Sequence, residues 1–174
     1  PLLLQILELM AKFWRWITIP ARKTAGAAKK VFRKLKKDFQ NEYLVVYMDL
    51  TTMDKFKKEK LDHFCFMRLF YESIIKSCDE SDILTIDKKI MKYFKTRNFQ
   101  IDKIQSMDKI PIPIIKSEED YAKFTNYVMD LPQQIYNDNK EQLKGILIFI
   151  DEFQMLKQLD EDVNGFLWYI RRKA

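Results

Sequence analysis

"ILIFIDEFQML", Ile146 to Leu156, is the stretch on which the reading of this chain turns. Five apolar residues run into two adjacent carboxylates, Asp151 and Glu152, and apolar and amide residues follow. Burying an ionised carboxylate is costly unless it gains a partner or a metal. A second run, "EYLVVYMDL" from Glu42 to Leu50, also ends on an acid, Asp49. It is apolar on both faces, as strands in the middle of a helix-covered parallel sheet are.

The surrounding sequence fits an α/β chain. "FWRWITI", Phe13 to Ile19, is aromatic and β-branched and predicts a strand that Pro20 stops. "TAGAAKKVFRKLKKDFQ" predicts a helix over Thr24–Gln40, with Ala27, Val31, Leu35 and Phe39 recurring every four residues. A helix is expected over Leu2–Lys12, long helical segments follow Asp54, and "DILTIDKKIMKYFK" also suits a helix. Pro111 and Pro113 make "DKIPIPII" an excursion, neither helix interior nor central strand. Ser117 and Asp120 resemble a capping box that opens a helix running to about Met129. Gly145 then opens the third strand, and a final helix is expected over Asn164–Arg172. Strand, helix, strand, helices, strand predicts parallel strands joined by helical crossovers, with function at the strand C-terminal ends.

Composition narrows the classes. Only three glycines occur in 174 residues, which argues against a turn-rich all-β fold. The formal charge of +6 lies largely in "KKVFRKLKKDF", Lys29 to Phe39. That run reads as a solvated helix face or as a surface for an anionic partner such as nucleic acid. Cys65 and Cys78 read as reduced, buried thiols of a cytoplasmic protein rather than a disulfide framework. One histidine, His63, cannot supply a histidine-rich metal site, and its neighbour Cys65 sits in an apolar helical run. The opening segment carries Glu8, Lys12 and Arg15 and reads as neither a transmembrane segment nor a signal peptide.

An apolar strand ending Asp-Glu is the Walker B pattern of nucleotide-hydrolysing proteins. The strand fixes Asp151 at the sheet edge, where its carboxylate can hold Mg²⁺ beside the β- and γ-phosphates. Glu152, on the other side of the strand end, can polarise the attacking water as the catalytic base. The plainer reading is a strand followed by an acidic helix cap. With "DEFQ" after its Ile/Leu run, "YLVVYMDL" and "KKVFRKLKKDF", the chain resembles the archaeal ATPase family of AAA-related P-loop proteins over roughly Phe13–Leu50 and Gly145–Gln158.

The resemblance implies a three-layer P-loop NTPase-like fold, a parallel sheet flanked by helices, over 1–174 with a helical insert at about 51–144. It implies a core incomplete at the C-terminus, because the family continues to a sensor strand and an arginine-bearing lid. It implies ATP and Mg²⁺ as cofactors, with Asp151 on the metal, and hydrolysis if the P-loop functions. The phosphate loop falls on Arg22, Lys23, Thr24, Gly26 and Lys29. There the chain departs from the pattern: Ala25-Gly26-Ala27 stands where Gly-Lys-[Ser/Thr] is needed to wrap and charge-match phosphates. Two alternatives stand beside the ATPase: a non-catalytic module on a degenerate P-loop scaffold that binds DNA or protein through its basic helix, and a metal-dependent nuclease using Asp49, Asp151 and Glu152. A homo-oligomer is compatible with each.

Overall fold

The computed structural model describes residues 14–18, 25–56, 63–81, 86–102 and 110–158. The helices expected over Leu2–Lys12 and Asn164–Arg172 lie outside them. The elements are β1 (Trp14–Thr18), α1 (Ala25–Phe39), β2 (Tyr43–Asp49), a 3-10 helix (Leu50–Phe56), α2 (His63–Glu80), α3 (Ile86–Thr96), α4 (Glu118–Asn139), β3 (Gly145–Asp151) and a second 3-10 helix (Phe153–Gln158).

The three strands form one parallel sheet in the order β1-β3-β2. Thr18 lies opposite Ile150, and Asp49 lies opposite Asp151. The strand of Asp151 is therefore beside both of the others, and Asp49 and Asp151 end on the same edge. The apolar run Glu42–Leu50, expected mid-sheet, has β3 on one side and no second strand among the described residues. The central place belongs to β3. All seven of its residues are buried, whereas Tyr43, Tyr47 and Asp49 of β2 are half-buried.

Alternation along the strands divides the packing between two faces. On one face Leu44, Val46, Met48, Ile146, Ile148 and Ile150 join a large core with residues of α2, α3 and α4, including Phe66, Phe70, Tyr71, Phe94 and Phe124. On the other, Val45, Leu147 and Phe149 pack under Phe32, Leu35 and Phe39 of α1. Helices on both faces exclude water from the sheet, which is what its two-sided apolar strands require.

Helix α4 begins on Ser117, whose extended backbone and Oγ cap the first turn by accepting the Asp120 N–H at 3.1 Å. Asp120 completes the turn on Lys116 N–H, at 3.2 Å, rather than on Ser117. The helix does not stop near Met129. It continues through Pro132 to Asn139. An interior proline removes a backbone donor and crowds the preceding turn, a cost of about 3 kcal/mol. Burial of Leu131, Pro132 and Ile135 against the core offsets it. The excursion around Pro111 and Pro113 is present. Pro111, Ile112 and Pro113 are buried, an antiparallel bridge joins Ile101 to Pro113, and the Tyr71 hydroxyl donates to Pro111 O at 2.7 Å.

Because Ser117 satisfies an otherwise orphaned amide, Ser117→Ala should lower stability by about 1 kcal/mol and Ser117→Gly by only a few tenths, measured by urea unfolding.

Candidate functional site

The C-terminal edge of the sheet collects the chemistry. Register and alternation put Tyr47, Asp49 and Asp151 on the α1 face. Asp151 is 6% exposed, and each of its oxygens accepts a hydrogen bond. The Tyr47 hydroxyl donates to Oδ2 at 2.5 Å, and the Glu152 amide donates to Oδ1 at 3.0 Å. Asp49 uses Oδ1 to accept from the Thr51 hydroxyl at 2.6 Å and its amide at 3.2 Å, while the Thr52 hydroxyl donates to the Asp49 carbonyl at 2.7 Å.

These bonds explain how the strand ends tolerate acids. A carboxylate has about four acceptor positions, so Asp151 keeps lone pairs free after both bonds. Glu152 has φ of 56°, the left-handed region that costs a side-chain-bearing residue about 1–2 kcal/mol. That turn ends the strand and starts the 3-10 helix, where Met155 N–H donates to Glu152 O at 2.8 Å.

Tyr47 was not evident from sequence. Its ring packs against Phe32 at 4.7 Å between centroids. Burial first, then the hydrogen bond to Asp151 and the nearby charges of Asp151, Asp49 and Glu152, push its ionisation far above the usual tyrosine value. Its hydroxyl is thus a donor held among three acids. The only signal in the sequence was its place two residues before a strand-terminal acid; which strand it would face depended on the pairing of β2 with β3.

The anticipated phosphate loop is partly visible. Arg22, Lys23 and Thr24 lie outside the described residues. Gly26 occupies the first turn of α1 and Lys29 follows within the same helix. Ala25 to Ala28 are thus helical, and Gly26 does not adopt positive φ. Asp151 and Glu152 sit at the sheet edge as anticipated. Oxygen donors of this kind suit Mg²⁺, which is held by one or two carboxylates together with phosphates and water. Among the described residues no group of three or more His, Cys, Asp or Glu side chains is arranged to hold a metal.

A cleft of about 650 Å³ opens beside β2, between α1 and α2, and its lining includes Phe32, Lys36, Tyr47, Asp49, Thr52 and Lys76. Lys36 is tied to Glu80 of α2 at 2.6 Å. Lys30, Arg33, Lys34 and Lys37 of α1 are exposed. Cys65 and Cys78 are buried thiols outside any disulfide, and His63 is half-buried at the start of α2. Among the described residues no helix is long and apolar enough to cross a membrane. No protein-family model, curated protein or solved structure matches the chain.

If Glu152 occupies the left-handed region, glycine relieves a cost that alanine keeps. Glu152→Gly should therefore be more stable than Glu152→Ala by about 1 kcal/mol in chemical unfolding. Equal stabilities would contradict that backbone.

Proposed function

We propose that the chain is the nucleotide-binding core of an AAA-related P-loop ATPase, binding Mg·ATP at the C-terminal edge of its sheet. The observation that carries this reading is the strand arrangement. β1, which leads into α1, lies directly beside β3, which ends in Asp151 and Glu152. The finer architecture belongs to the same reading: α1 as one layer, the sheet as the second, and α2 with α4 as the third.

In this reading Asp151 anchors Mg²⁺, which when bound neutralises charge on the β- and γ-phosphates. Asp49, its register partner, adds negative charge on the same edge. Glu152 leaves the strand by its left-handed turn and orients and polarises the attacking water. The Tyr47 hydroxyl and the Glu152 amide hold the Asp151 carboxylate in one orientation. The segment before α1, with Arg22, Lys23 and Thr24, supplies the phosphate contacts, together with Gly26 and Lys29. The absence of Gly-Lys-[Ser/Thr] makes weak ATP binding the expectation.

Two substitutions separate the roles. Asp151→Ala should weaken Mg²⁺-dependent ATP binding in calorimetry. Glu152→Gln should retain binding and slow turnover by about 10²–10⁴-fold, the scale of general-base assistance. ATP affinity that ignores Mg²⁺ in the unaltered protein would remove the reading.

The exposed Lys30, Arg33, Lys34 and Lys37 favour a second reading, a non-catalytic module that binds DNA through α1. Its affinity should then fall with salt at a log–log slope of about −0.9 per phosphate contacted. Binding to duplex DNA that is absent even at low salt would leave α1 a solvated face.

A further inference from the structure

We infer that Tyr47 is a positioning residue for Asp151, acting through its hydroxyl on the carboxylate that would hold the metal. The inference rests on the ATPase reading and extends it to a residue on the neighbouring strand.

Three observations converge. First, Asp151 is buried at 6% exposure, and Tyr47 supplies one of its two hydrogen bonds, at 2.5 Å. Second, the other bond comes from the adjacent Glu152 amide, so Tyr47 is the side chain that fixes the carboxylate plane from outside its own strand. With one oxygen held from each side, rotation about the Asp151 side chain would break a bond in a water-poor site. Third, the Tyr47 ring is itself constrained. Phe32 of α1 lies 4.7 Å from it between centroids, and Phe32 in turn meets Phe149 of β3 edge-on at 5.8 Å. The aim of the hydroxyl is therefore set by packing of α1 on the sheet, not by a free rotamer.

The consequence for metal binding follows from how outer partners act. A hydrogen bond to a ligating carboxylate holds it in the orientation that the ion requires, and removing such partners typically weakens metal affinity by about 10–100-fold. Mg²⁺ demands near-octahedral geometry, which makes a loosely held carboxylate a poor anchor.

The test is calorimetric ATP binding across a Mg²⁺ series with the whole chain. Tyr47→Phe should shift the Mg²⁺ midpoint upward by about 10-fold or more, with metal-free ATP affinity unchanged. In an Asp151→Asn background the same substitution should have no further effect, because Tyr47 acts through the carboxylate that is gone. An unchanged Mg²⁺ midpoint in Tyr47→Phe, with the dependence lost in Asp151→Asn, would overturn the role of Tyr47 and leave the ATPase reading standing. A further loss from Tyr47→Phe in the Asp151→Asn background would also overturn it. A Mg²⁺ response unaltered by Asp151→Asn would remove the reading itself and the inference with it. Should Tyr47→Phe fold poorly, Phe32→Leu, which loosens the ring without removing the hydroxyl, should shift the midpoint in the same direction by less; no shift in that variant would count against the inference.

Discussion

A strand buried along its whole length has to end somewhere, and in this protein it ends in two acids. Gly145 to Asp151 pair with β2, Ile146 to Ile150 pair also with β1, and helices lie on both faces, so every residue of β3 is buried. Its backbone is satisfied by parallel ladders on each side, and its side chains by apolar packing. The carboxylate at its end has neither resource. Its stability depends on two donors: a hydroxyl on β2 and the amide of the residue that follows, Glu152. The rest of the site is arranged around that requirement.

The two faces of the sheet do different work. The α2–α4 face holds the large core, with the stacked rings of Tyr93 and Tyr127 at 3.9 Å and a series of edge-on aromatic contacts around Phe94. Burial on that scale supplies the main stabilisation, at about 25 cal/mol per Å² of apolar surface. The α1 face holds a smaller aromatic set, Phe32, Phe39, Tyr43, Tyr47 and Phe149, whose ring geometry positions a polar group. Stability is thus concentrated away from the acidic edge. At that edge the structure tolerates a cost of about 1–2 kcal/mol at the Glu152 backbone.

Helix α1 connects these features to the unassigned basic surface. Its inner side packs on Val45, Leu147 and Phe149, and four cations on its outer side remain exposed. Lys36 stands apart from them, tied across to Glu80 at the end of α2. A ligand bound at the acidic edge and one bound to the basic side would therefore share a single helix. That arrangement is compatible with either reading of the function.

The sequence by itself determined the element types, because periodicity and proline act locally. The two-sided apolar run Glu42–Leu50, the four-residue spacing of Ala27, Val31, Leu35 and Phe39, and the apolar run before Asp151 each named its element, and all three appear within a residue or two. Ser117 marked the start of α4 because capping is a short-range hydrogen bond. The end of α4 was not legible: Pro132 is a local stop signal that long-range burial overrode. Which strand takes the centre was not legible either, since Glu42–Leu50 and Gly145–Asp151 are similarly apolar and only pairing distinguishes them. The two acids of the candidate site could be read from the sequence, because a charge after a buried run is conspicuous. Tyr47 could not. Its hydroxyl meets Asp151 across 104 positions of sequence, and that contact exists only once parallel register sets Tyr47 against Phe149 and α1 fixes its ring.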